Sequence, residues 1–193
     1  MNKDELQEAR TNPDFLKFLE ENRLKAIEED NLALMYETLD SMLILDLEDD
    51  KINNLYQNIL KTAFDKIEKI VNENKKLDLK EENLLLVRAL YEHGIEKWSY
   101  DNFDGAKEIM FVLSNIVDDE LLEKSLNVLI IVLSNKVTLD DFYEEKVNND
   151  INDIKEEHGY FIVNFNFDID EYISSNEAVL KKEYENLKHL LEA

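Results

Sequence analysis

Three histidines, His93, His158 and His189, are the side chains of this 193-residue chain whose ordinary titration falls near neutrality. None stands in an H-E-x-x-H or E-x-x-H spacing, so the sequence offers no set of four ligands for zinc or a di-iron centre. Cysteine is absent, which excludes disulfides, thiolate catalysis and Cys-based zinc sites. Glycine occurs only at 94, 105 and 159, and the chain has no G-x-G-x-x-G, no Walker lysine loop and no G-x-S-x-G elbow. Asn164, Asn166, Asp168 and Asp170 alternate like the start of a calcium loop, but the required glycine and closing glutamate are missing and the aromatics between them read as a strand. Carboxylate pairs suited to general acid-base work are so frequent that their spacing selects none. The chain is therefore read as non-enzymatic, with no catalytic residue, no metal and no cofactor.

Composition bounds the rest. With 44% apolar residues, one proline and three glycines, the chain has enough core for one domain and too little turn chemistry for a many-stranded fold. The amino-terminal MNKDELQEARTNPD lacks both an apolar run and a basic leader, and no stretch approaches 18 uninterrupted apolar residues. A cytoplasmic protein is expected. The 45 acidic and 22 basic residues give −23, with −9 over residues 1–100 and −14 over 101–193. Nucleic acid and anionic membranes are poor ligands for such a surface, because binding them needs a basic face. A basic or amphipathic protein partner suits it better.

One segment has informative spacing. In 90–118, LYEHGIEKWSYDNFDGAKEIMFVLSNIVD, Gly94 lies four residues before Trp98, Ala106 follows Phe103, and Met110 and Leu113 continue at helical spacing. Small residues let two helices approach closely, and Trp98 and Phe103 fill the wedge near the turn. Asp101 is the expected N-cap of the second helix. These positions resemble a tetratricopeptide (TPR) unit, with Gly94, Phe103, Ala106, Met110 and Leu113 in its structural places, although Asp118 and Asp119 stand where the closing proline belongs. The pattern is also similar to the first repeat of class II type III secretion chaperones, and that resemblance implies a secreted or flagellar client. E-x-x-N pairs, used on a helix by bacterial chemotaxis phosphatases, occur at Glu28/Asn31, Glu145/Asn148 and Glu183/Asn186, about as often as chance places them in so acidic and Asn-rich a chain.

The remaining periodicities predict the elements that would hold this unit. Asn12-Pro13 opens a helix carrying Phe15, Phe18, Leu19 and Ala26, and Asp30 is expected to cap the next, with Leu32, Met35, Leu39, Met42 and Leu43. Ile52 to Val71 follows the 3, 4 spacing of a helix with one buried face. Residues 72–76 form a polar hinge, so the chain reads as a single domain 1–193 that can be subdivided into a bundle, 1–74, and a TPR-like part, 77–193. Asp78 with Glu81 resembles a capping box, as does Ser174-Ser175-Asn176-Glu177 ahead of the closing helix. VLIIVL at 128–133 is apolar all round and marks the centre of the core. Thr138 and Asp141 start a peripheral helix with Phe142, Val147, Ile151 and Ile154 on a narrow stripe.

At 160–167 the period changes to two: Phe161, Val163, Phe165 and Phe167 point one way, and Tyr160, Ile162, Asn164 and Asn166 the other. A lone strand-like arm needs helices to pack on, a groove of its own protein, or a second chain, the last giving a homodimer through the arm. The sequence thus predicts an all-α fold of stacked antiparallel helical hairpins, about eight helices, with one short extended segment. Its function is expected to be protein binding, as a TPR-like adaptor or chaperone, with Tyr91, Trp98, Phe161, Phe165 and Phe167 as partner-binding residues. The competing expectation is a helical signalling regulator or enzyme acting through surface carboxylates.

Overall fold

The computed structural model describes residues 3–149 and 155–192. It is all-α, with ten α-helices among the described residues: α1 (Lys3–Thr11), α2 (Pro13–Glu28), α3 (Leu32–Ile44), α4 (Asp49–Asn72), α5 (Glu81–Ser99), α6 (Phe103–Ile116), α7 (Glu120–Ser134), α8 (Leu139–Lys146), α9 (Ile169–Ser175) and α10 (Glu177–Leu187). Short 3-10 turns lie at Glu156–His158 and Lys188–Leu191. The two helices beyond the expected number are α1, at the charged amino terminus, and α9, directly before α10. The chain divides into two compact units, Met1–Asp65 and Lys66–Ala193, with the boundary inside α4. The expected stripe residues Ile151 and Ile154 lie outside the described residues.

In the first unit α2 packs on α1 and α3. Asn12 caps α2, its carboxamide oxygen accepting from the amides of Asp14 and Phe15, and Pro13 occupies the first helical turn. Leu19, Ala26, Leu32, Met35, Tyr36, Leu39, Met42, Leu55 and Ile59 are buried, whereas Phe18 and Leu43 of the expected stripes face solvent. Arg23 of α2 donates to Asn54 of α4 at 2.7 Å and pairs with Glu20. That bond to Arg23 lowers the Glu20 carboxyl and raises the guanidinium, against the opposing effect of burial.

The second unit is organised around α7. Leu122, Leu126, Val128, Leu129, Ile130, Ile131, Val132 and Leu133 of that helix are all buried, with α6, α9 and α10 packed around it, and a polar stripe of Glu120, Glu123, Lys124 and Asn127 stays on its amino-terminal half. Helix α6 also packs on α5, and α5 on α8, giving consecutive packed helices. A carboxylate ties α10 to α6: Glu183, almost fully buried, pairs with Lys107 at 3.2 Å. Ahead of α5, Leu77 forms an isolated parallel bridge to Val117, its amide donating to the Ile116 carbonyl and its carbonyl accepting from Asp118, both at 2.7 Å. Helix α8 ends at Lys146, and Phe142, expected on a peripheral stripe, is fully buried against Trp98.

The helix ends correct four expected caps. Asp30 and Asp101 do not cap the following helices. Each takes a left-handed conformation, φ 48° and 57°, and ends the preceding helix. The next residue, Asn31 or Asn102, then supplies the N-cap, accepting from the amides of Leu34 and Gly105. Glu81 also lies at positive φ (46°), which precludes the expected capping box, and Asp78 instead accepts from the Asn83 side chain at 2.7 Å. Ser174-Ser175-Asn176-Glu177 forms no box because α9 runs through the serines, Ser174 bonding back to the Asp170 carbonyl and Asn176 to that of Tyr172. Thr138 does cap α8, through the Asp141 amide.

The left-handed stops recur. Asp30, Asp46, Asn74, Asp101 and Lys136 each precede an amide that bonds back to the carbonyl five positions earlier, as in Asn102 to Lys97 at 2.9 Å and Val137 to Val132 at 3.3 Å. This closure satisfies helix-end carbonyls and is usually built on glycine. Lys136 has neither glycine's freedom nor the local side-chain bonding that eases Asp and Asn into this region. Replacing Lys136 by glycine should stabilise the protein by about 0.5–1 kcal/mol, the relieved left-handed strain exceeding the extra unfolded-state entropy. Urea unfolding reads this directly, and an unchanged or lowered midpoint would refute the strain assignment.

Candidate partner-binding site

The period-two segment is an extended arm that, among the described residues, makes one isolated antiparallel bridge, Val147 to Phe165, and no ladder. Its alternation survives in burial: Phe161 and Val163 are buried, Phe165 and Phe167 half-buried, and Tyr160 is exposed. The reason it is not a strand is partner availability. Among the described residues, the end of α8 and the short stretch after it run beside the arm, where the Asn148 amide donates to the Asn164 carbonyl at 3.0 Å and the Asn166 amide to that of Lys146 at 2.8 Å. Elsewhere along the arm the Ile162 amide donates to the Tyr91 hydroxyl at 2.9 Å. The Asn166 carboxamide adds a bond to the Val147 carbonyl at 3.1 Å.

Side chains do most of the holding. The Phe161 ring meets Tyr91 edge-on at 5.1 Å. Beside it, the Arg88 guanidinium of α5 lies 4.3 Å from the centre of the Tyr160 ring, an attraction of cation to π face. A second aromatic series runs from Trp98 to Phe142 (5.2 Å), Phe142 to Phe165 (6.1 Å), Phe165 to Phe167 (5.2 Å) and Phe167 to Tyr172 (4.5 Å). Trp98 is anchored by its indole N–H, which donates to the Val137 carbonyl at 2.9 Å. Burial pushes the Tyr91 phenol well above its ordinary range, only partly offset by the Ile162 amide, so the hydroxyl stays protonated and neutral beneath the arm.

The five expected partner-binding residues fall into two groups: Tyr91 of α5 meets Phe161, while Trp98 of α5, fully buried, reaches Phe165 and Phe167 of the arm through Phe142. The repeat positions sit at the α5–α6 crossing. A Cβ added at Gly94 would lie 2.6 Å from Cε of Met110 and 3.3 Å from Ile109, so the close approach at Gly94 is to those residues. Ala106, Met110 and Leu113 are fully buried, and Phe103 is half-buried in the first turn of α6.

Two contributions escaped sequence reasoning. His158, almost fully buried, places Nε2 3.0 Å from Asp119 Oδ1, the same oxygen that caps α7 through the Leu122 amide. With Lys124, Lys155, Val163 and Asn164 this pair lines a cleft of about 460 Å³. A carboxylate so placed orients an imidazole, but here it also ties the start of the arm to the head of α7. Nothing in the spacing of His158 pointed to Asp119, because they are far apart in the chain. Arg88 was equally silent, being one charge on an apolar helix face.

Other groups weighed for chemistry are committed elsewhere. Asp168 caps α9 through the Glu171 amide, and Asp170 pairs with Lys124 at 2.9 Å. Asn31 caps α3, Glu183 holds Lys107, and Glu145 and Asn148 do not share a helix because α8 stops between them. Among the described residues no three His, Asp or Glu side chains gather as metal ligands, and no helix is long and apolar enough to cross a membrane. Compared with protein families, curated proteins and solved structures, the chain matches none of them.

Because the Tyr91 hydroxyl is the acceptor for a part-buried amide, Tyr91→Phe should cost about 1–3 kcal/mol, the penalty for leaving such a group unsatisfied. Hydrogen exchange at Ile162 should accelerate in the variant. A variant with wild-type stability and unchanged exchange would show that this bond does not hold the arm.

Proposed function

We propose that the chain is a non-catalytic protein-binding module, a TPR-like adaptor or chaperone, in which the face of α5 and α8 receives an extended segment of a partner. The observation that carries this reading is the arm itself. That face holds an extended segment of its own chain by aromatic contacts and the Tyr91 hydroxyl, with one bridge to other backbone among the described residues. Recognition of an extended segment needs this combination: pockets for alternate side chains and a few fixed polar groups. In this reading the arm occupies the site until a client displaces it, and exchange of arms between two copies would give a homodimer. The chain's net charge of −23 favours a basic or amphipathic client, and the resemblance to class II secretion chaperones suggests a secreted or flagellar one.

The test is to weaken the arm without touching the face beneath it. Phe165 and Phe167 are half-buried, so replacing both with Ser should lower the unfolding midpoint while leaving the helices folded, and should speed exchange over 160–167. If the arm shields the client site, affinity purification of the double mutant from the native cell should recover more partner than wild type does. Stability and recovery falling together would mean that the arm is core and that the site lies elsewhere.

A further inference from the structure

Away from the arm, α6, α7 and α10 enclose a groove of about 290 Å³ whose lining carries a consistent pattern. Its floor is apolar, formed by the buried Phe111 of α6 and Ile130 of α7. One wall is Leu180 and Tyr184, a helical turn apart on α10. The Tyr184 ring packs edge-on against Phe111 at 5.9 Å yet remains about half exposed, at 49%. The other wall is Glu123 and Asn127, a turn apart on α7.

Charge identifies the occupant. Two of the groove's three carboxylates are already matched, Glu183 by Lys107 at 3.2 Å and Glu177 by Lys181 at 2.8 Å. Glu123 pairs with no cation among the described residues, and no described residue bonds to the half-buried Asn127 carboxamide. A site with an apolar floor, an exposed aromatic wall and one uncompensated carboxylate is complementary to an apolar anchor with a cation one turn away.

We propose that this groove receives an amphipathic helical segment of a partner protein, with apolar residues at i and i+3 or i+4 seated on Phe111, Leu180 and Tyr184, and a Lys or Arg meeting Glu123. The net charge of −14 over residues 101–193 steers such a cationic segment towards this unit. The inference rests on the binding-module reading but uses a surface that the arm does not touch, so either can fail alone.

The test uses the full chain and a fluorescently labelled synthetic Leu/Lys amphipathic peptide of about 15 residues, long enough to be helical when bound, with a Leu/Glu peptide of the same pattern as counterpart. Anisotropy should show saturable binding of the Leu/Lys peptide and none of the Leu/Glu peptide. Glu123→Lys should weaken binding roughly fivefold or more, as inverting a single exposed charge allows. Tyr184→Ser should weaken it roughly tenfold, as removal of an aromatic anchor does. Both residues are exposed, so the variants should keep the wild-type helical circular dichroism. Glu144→Lys, an equally exposed change on α8, controls for general attraction to an acidic protein and should leave affinity within about twofold. Equal losses from Glu123→Lys and Glu144→Lys, or no saturable binding, would overturn the groove assignment. The Phe165→Ser/Phe167→Ser chain separates the two proposals: unchanged peptide affinity is expected if the groove binds, and tighter binding would place the peptide under the arm instead.

Discussion

A helix whose residues 128–133 are all buried apolar side chains needs cover from several directions, and α7 imposes that requirement on everything around it. Each buried Leu, Ile or Val along it is worth about 1.5–3 kcal/mol, so cover must come from several directions. Helix α6 supplies one side as the other arm of a tight hairpin. The opposite sides are covered by α9 and α10, whose lengths of 7 and 11 residues fall below the roughly 12–15 at which a helix persists alone. Their helicity is borrowed from the surface they cover. The polar contacts follow the same logic, with Lys107–Glu183 joining α10 to α6 and Lys124–Asp170 joining α9 to α7.

The same dependence explains the arm. Once α9 and α10 are placed against α7, the chain leaving α8 must return across the unit, and it does so extended, laying Phe161 on Tyr91 and Phe165 on Phe142. Its entry is fixed by His158 on Asp119, an aspartate that also caps α7. The head of the central helix and the root of the arm therefore share one carboxylate oxygen. The route is determined at a few points by side chains and left unlatticed between them, which makes it the segment of this unit best suited to open without melting the helices.

How much of this was legible depended on range. The all-α class, the single buried face of α4, the burial of α7 and the caps Asn12 and Thr138 are encoded within a helical turn or two, and the local pattern expressed them. The arm's alternation was visible too, but whether it became a strand depended on finding a neighbouring backbone, which no local pattern records. His158–Asp119 and Lys107–Glu183 join residues distant in the chain and disappear among so many other charges. The misplaced caps have a different cause. At Asp30-Asn31 and Asp101-Asn102 either residue is a good cap, and the choice is made by the preceding helix, which needs a left-handed residue to close its last turn. Helix α9 was missed because its capping Asp168 stood in a run read as the end of the arm.

These glycine-free stops also act on the unfolded chain. A glycine at each helix end would give the denatured ensemble its most flexible joints at the places where direction must change. With Asp, Asn or Lys there, the unfolded chain visits fewer conformations, and part of the ordering cost of each corner is removed before folding begins. The same residues raise the energy of the native turn. The protein thus holds its corners in balance between native strain and denatured stiffness, and in such a chain the steric fit of five turn residues bears on the folding equilibrium without adding any contact to the core.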